Sequence, residues 1–200
     1  MFKDDGARIP ADKALERMME GNRIFYEGKI HLLAQKSEMP YLVSHGQHPY
    51  ATVITCSDSR VPPELIFDCG LGELFVVRTA GNVVSDFEVG SAEYAAAHLG
   101  THLIMVMGHS GCGAVESTVH AHTNEGYLGT ILKEIEPSVI QAKKTAAPED
   151  TAAAAEDLNI MRAVEKLRRN AVLSAVEGLM IVGAKYDTAT GRVHLLEKAP

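Results

Sequence analysis

The 200-residue chain has no tryptophan, only 3 cysteines, and no apolar run near the roughly 20 residues that cross a membrane. Each shortage excludes something. Three widely spaced cysteines, Cys56, Cys69 and Cys112, build no disulfide framework. In a reducing compartment, cysteines with polar neighbours more often bind metal or react. An excess of positive charge is also missing, with 19 basic against 26 acidic residues and a formal charge of −7. That balance argues against nucleic acid or an anionic membrane as the main partner. The one basic stretch, "KLRR" at 166–169, reads as a solvated helix face. The opening "MFKDDGARIPADKAL" lacks the apolar segment of a secretory signal, so a cytoplasmic protein is expected.

What is present suffices for one domain spanning residues 1–200: 46% of residues are hydrophobic and 22% charged. Four apolar, β-rich runs occur at 51–55, 74–78, 102–108 and 178–184. Helical patterns lie at 10–26, 36–46, 85–99, 114–121, 128–142 and 152–176, and they separate most of the strands. Near-continuous apolar strands alternating with helices predict an α/β fold with a parallel sheet covered on both faces. A turn at Thr190-Gly191 is too short for a crossover, so the last strand, 192–196, must pair antiparallel. The alanine-rich 146–155 reads as a loop entering the long helix, and residues 1–35 as a helical arm.

In open parallel sheets, ligands bind at the carboxyl ends of strands. Cys56 directly follows the first strand, and "GHSGCGAV" at 108–115 follows the third. His109 and Cys112 form an H-x-x-C step across a glycine-flanked turn, and Cys56 supplies a third ligand of a kind that selects zinc. Three ligands leave one position open, which is the catalytic arrangement. A zinc ion with two thiolates and a neutral imidazole has no net charge. It acidifies bound water less than an all-histidine site, whose water titrates near about pH 7. A carboxylate that accepts that water's hydrogen bond then helps, and Asp58 is two residues from Cys56. Asp58 is equally within reach as a fourth ligand that closes the site. Arg60, spaced for a bidentate grip, would hold it off. A plain surface ion pair explains Asp58 and Arg60 as well.

Spacing also bears on other chemistries. "GHSGC" has Cys112 where a G-x-S-x-G elbow needs glycine, which argues against Ser110 as a nucleophile. "GLGELF" at 70–75 places Phe75 at the third glycine position and precedes a strand, so it is no dinucleotide fingerprint. A metal-free enzyme using Cys56 as nucleophile and His109 as base stays open. The remaining histidines, His31, His45, His48, His98, His102, His120, His122 and His194, are assigned ordinary surface or core roles. Cys69 is expected to be a buried small apolar residue.

"CSDSRVPPELIF", "GELFVVRTAGNVV" and "GHSGCGAVES", in this order, resemble the β-class carbonic anhydrases. The likeness runs from "ALERMMEGNRIF" to "IVGAKYDTATGRV" and so covers nearly the whole chain. It implies zinc, one ion per subunit, on Cys56, His109 and Cys112, with the Asp58–Arg60 dyad beside the fourth position. It implies reversible hydration of carbon dioxide to bicarbonate and a proton through zinc-bound hydroxide. Gln47 matches the substrate-holding glutamine; Phe75, Ala80 and Tyr94 match the apolar carbon dioxide pocket, partly contributed by a neighbouring subunit; Gly113 offers backbone contact. The resemblance further implies a homodimer or homotetramer, with the N-terminal arm across the partner. Relatives on this scaffold that hydrolyse carbonyl sulfide or carbon disulfide are one alternative, and a catalytically silent zinc module is another. Thr79 departs from the usual R-N-A-G-N. Val53 stands where one subgroup has the tryptophan of a regulatory bicarbonate pocket shared with Arg78 and Tyr186, so that pocket is not expected.

Overall fold

The computed structural model describes residues 9–31, 39–120 and 126–196. Five strands form its sheet: β1 (Ala51–Cys56), β2 (Leu74–Thr79), β3 (Leu103–His109), β4 (Met180–Tyr186) and β5 (Val193–Leu196). Their spatial order is β2-β1-β3-β4-β5. The first four pair in parallel, and β5 runs antiparallel to β4 with Gly183 opposite Leu196. The result is a single α/β domain of the expected kind.

The helices are α1 (Ala11–Tyr26), α2 (Met39–His45), α3 (Pro63–Ile66), α4 (Asp86–Glu93), α5 (Gly113–Val119), α6 (Leu128–Thr145), α7 (Thr151–Arg168) and α8 (Ala171–Ser174). Every residue of β1 and β3 is buried, which is why both read as near-continuous apolar runs rather than alternating ones. Side chains of a strand still divide by face. Ile54, Ile104 and Val106 pack with Ile160 and Val164 of α7. Val53, Met105 and Met107 pack with Ala14 and Met18 of α1 on the other side. Each such fully buried large side chain contributes roughly 1.5–3 kcal/mol.

The helix predicted over 152–176 is two helices. Asn170 breaks it: its Oδ1 accepts from Leu173 N at 2.9 Å and starts α8, while its Nδ2 donates to Glu93 at 2.8 Å. An asparagine capping the next turn outcompetes helix continuation. The helix predicted over 85–99 opens with a Ser85–Glu88 capping box. It then widens to π geometry over Tyr94–Leu99 and stops at left-handed Gly100. The short α3 was not anticipated. Positions 36–38 and 121, at the ends of two predicted helices, and His122 lie outside the described residues.

α1 is anchored to its own sheet. Asn22, buried, donates to Gly191 O at 2.9 Å and accepts from Val193 N at 2.8 Å, which fixes the helix to the β4–β5 turn. Gly21 lets α1 approach α3: a Cβ there would sit 1.9 Å from the Phe67 carbonyl oxygen. Alanine gains about 1 kcal/mol of helix propensity over glycine. Here the obstacle is backbone, which cannot rotate away, so the clash dominates. Gly21→Ala should lower stability by about 2–3 kcal/mol in urea unfolding. An unchanged midpoint would contradict this packing.

Candidate metal centre

β1 and β3 are parallel neighbours with Thr55 opposite Met107, so their carboxyl ends emerge side by side. β1 delivers Cys56 and β3 delivers His109. Gly111, at φ 66°, turns the chain so that Cys112 stands directly before α5. Among the described residues, one ligand atom from each of Cys56, His109 and Cys112 lies within 4.8 Å of the others, and all three residues are buried.

The donors are set up for a cation. His109 Nδ1 donates to the Ser110 carbonyl at 3.1 Å, which fixes the ring proton there and leaves Nε2 as a bare acceptor. That Nε2 is buried without a hydrogen-bond partner. Asp58 Oδ2 is 3.9 Å away, beyond hydrogen-bond range. Cys56 Sγ accepts from the Gly81 N–H at 3.3 Å. Two sulfurs and one imidazole nitrogen facing a common point match the donors and geometry zinc takes. The residues fit the ion that the resemblance implies.

The protein alone polarises the two thiols in opposite directions. The hydrogen bond from Cys112 holds Cys56 well below the ordinary thiol range, with burial opposing and His109 and the Asp58 and Gly81 amides assisting. Cys112 is pushed far up, first by holding that proton against Cys56 and then by burial. For His109, burial disfavours the charged ring, but Cys56, the Ser110 carbonyl and Asp58 outweigh it and raise the pKa. Cys69 stands apart. It is buried, touches the Tyr50 hydroxyl at 3.1 Å, and burial pushes its thiol up to about 12.

Beside the donors, Arg60 grips Asp58 at both oxygens, Nε to Oδ1 at 3.0 Å and Nη2 to Oδ2 at 2.8 Å. The Arg60 backbone N–H adds a bond to Oδ1 at 2.9 Å. These bonds, opposed by burial, hold the Asp58 carboxyl well below the usual carboxylate range. Asp58 is therefore an ionised, acceptor-only group throughout neutral pH. Arg60 also reaches Gly111 O at 3.3 Å and so links the two ligand-bearing loops. Arg78 holds the same segment from behind, donating to Cys56 O at 3.1 Å and Asp58 O at 2.6 Å. Thr79, where the family pattern has asparagine, donates to Val83 O at 2.8 Å and closes the turn that presents Gly81.

The remaining expected site residues divide into two groups. Ala80 follows β2 and Gly113 follows Cys112, so both lie at the carboxyl edge with the donors. Gln47 is exposed on the segment before β1, at the opposite end of that strand from Cys56. Phe75, near the start of β2, meets Tyr94 with ring centroids 6.0 Å apart. Four residues of extended chain, about 13 Å, separate Phe75 from Thr79 at the donor end. One chain alone thus leaves Gln47, Phe75 and Tyr94 away from its own donors.

Two contributors have no precedent in the motifs. Glu156 of α7 accepts from Cys112 N at 3.0 Å, and Asn159 donates to Gly81 O at 2.8 Å. Both are buried, polar residues on the apolar face of a helix, and that misplacement is the one sequence signal they carry.

Two measurements check this electrostatic layout. Cys112→Ser should bind little zinc after dialysis, as read by elemental analysis, whereas Cys69→Ser should keep it. In metal-free protein, ultraviolet thiolate absorbance should persist as pH falls well below the ordinary thiol range, because Cys112 and its neighbours hold Cys56 ionised. A midpoint near the ordinary thiol value of about 8.5 would refute the Cys56–Cys112 proton sharing.

Comparison with known proteins bears on the same residues. The family model described as carbonic anhydrase matches residues 51–193. A carbonic anhydrase of Mycolicibacterium smegmatis is 36% identical over 193 residues, covering 94% of this chain and 92% of that protein. The solved β-carbonic anhydrase of Coccomyxa, in complex with acetazolamide, superposes with TM-score 0.73 at 28% identity, covering 91% of this chain and 86% of that one. A solved structure reported with two tetrameric β-carbonic anhydrases of Sordaria macrospora gives TM-score 0.73 at 26% identity, with 92% and 97% covered. With that match across nearly its whole length, and with two thiols and an imidazole gathered at the sheet edge, the chain belongs to the β-class carbonic anhydrase family.

Proposed function

We propose that this chain catalyses the zinc-dependent, reversible hydration of carbon dioxide, with Cys56, His109 and Cys112 holding the metal. The observation that carries the reading is the convergence of those three donors beside an Asp58 carboxylate already locked by Arg60. Zinc bound there supplies Lewis acidity that makes water acidic enough to act as a nucleophile near neutral pH.

The chain's own residues do the rest. Asp58, ionised and acceptor-only, takes the hydrogen bond of the attacking oxygen and so aims its free lone pair at the substrate carbon. Arg60 occupies both Asp58 oxygens, which opposes a swing of the carboxylate onto the metal. In the net reaction one C–O bond forms between water and carbon dioxide, bicarbonate leaves, and one proton passes to buffer. Ala80 flanks this position, and the Gly113 backbone is available to the product oxygen.

Gln47, Phe75 and Tyr94 serve the site of a neighbouring copy, which makes the working unit a homodimer or a homotetramer. Their position at the far end of β1 and β2, and the tetrameric relatives, support that assembly. The described part of the expected arm, α1, is fixed to its own sheet by Asn22 and offers its outer face to the partner, while residues 1–8 and 32–35 lie outside the described residues. A reducing, cytoplasmic setting suits three cysteines that are all free. No described helix is long and apolar enough to cross a membrane.

Stopped-flow carbon dioxide hydration, run with metal analysis, tests the proposal. Fully zinc-loaded protein inactive between about pH 7 and 9 would overturn it. Asp58→Ala should retain zinc and lose roughly 10²-fold or more in rate, the scale of a positioned proton acceptor. Unchanged turnover would remove Asp58 from the mechanism.

A further inference from the structure

We propose that one face of α7 positions all three zinc ligands, with Glu156 and Asn159 as its positioning residues. The helix donates no ligand, yet it touches each segment that does. Glu156 Oε1 accepts the backbone N–H of Cys112 at 3.0 Å. Its Oε2 lies 2.9 Å from Lys185 Nζ, so a carboxylate only 4% exposed is balanced rather than stranded. Asn159 Nδ2 donates to Gly81 O at 2.8 Å, and Gly81 N–H points at Cys56 Sγ from 3.3 Å. Gly81 sits at φ 69° with no side chain to hold it, so the grip on its carbonyl is what aims its N–H. Ile160 fills the space beside Gly108, the residue before His109, where a Cβ would fall 2.6 Å from Ile160 Cδ1.

Residues 156, 159 and 160 have the i, i+3, i+4 spacing that places side chains on one helix face. Glu156 addresses Cys112, Asn159 addresses Cys56, and Ile160 addresses the end of β3 that carries His109. A rigid helix therefore sets the mutual spacing of three ligands spread over 56 positions of sequence, from Cys56 to Cys112. Polar groups that satisfy a buried helix for stability alone have no reason to choose backbone atoms on ligand-bearing loops. Glu156 and Asn159 both do.

This inference rests on Cys56, His109 and Cys112 being the zinc ligands, and the test separates the two. Glu156→Gln and Asn159→Leu stay close to the native volumes; Asn159→Ala serves if leucine is not accommodated. An amide at 156 carries no charge and puts an NH2 donor at one of the two positions that accept from Lys185 and from Cys112 N–H. Leu167→Ala, wholly buried lower on the same helix and remote from the loops, is the control for lost stability. Zinc affinity is measured by chelator competition, and the thiolate-to-metal charge-transfer band is recorded in cobalt-substituted protein. The 156 and 159 variants should each weaken zinc about 10- to 100-fold, the range found for groups that orient metal ligands, and shift the band. Leu167→Ala should lower the melting temperature while leaving both readouts near wild type. Wild-type zinc affinity and an unshifted band in both variants, or an equal affinity loss in Leu167→Ala, would overturn the positioning role. Wild-type protein that binds no zinc would instead overturn the ligand assignment.

Discussion

Parallel pairing of β1 with β3 is the constraint from which the site follows. With Thr55 opposite Met107, both strands must end on the same edge of the sheet. Cys56 and His109 then meet although 53 positions separate them in sequence. An antiparallel pairing would put the two donors at opposite ends. The glycine-rich turn after β3 adds Cys112 at the start of α5, and the bodies of both strands, buried along their whole length, hold the edge in place.

That edge gathers groups that are costly together unless each is balanced. Two buried sulfurs, an imidazole nitrogen without a partner and a carboxylate lie within a few ångströms of one another. Each negative group is given a specific partner: Arg60 for Asp58, Lys185 for Glu156, and the Gly81 N–H for Cys56. What stays unbalanced is the donor triangle, which is where a divalent cation belongs. Arg60 and Arg78 also knit the loop after β1 through backbone carbonyls, so the segment that carries Asp58 is held from both sides.

The elements with a single dominant cause were legible in the sequence. The buried strands announced themselves as apolar runs, and the short Thr190-Gly191 connection dictated the antiparallel β5. Chemically rare side chains at strand ends did the same for the donor triangle and the Asp58–Arg60 pair. Legibility failed where the cause was a long-range hydrogen bond. Asn170 breaks the long helix because it caps α8 and bonds Glu93, a partner 77 residues away. Glu156 and Asn159 show in the sequence only as polar residues on an apolar helix face, since their partners sit on loops far back in the chain. Motif matching also takes no account of which end of a strand a residue occupies. Gln47, Phe75 and Tyr94 therefore matched a pocket motif while lying at the opposite end of the strands from the donors.

Zinc K-edge X-ray absorption of the metal-loaded protein at neutral pH tests the central claim most directly. The account predicts two sulfur scatterers at about 2.3 Å and one imidazole nitrogen at about 2.0–2.1 Å, with a single further light atom. A shell with one sulfur, or with three, would contradict the assignment of Cys56, His109 and Cys112 as the metal site.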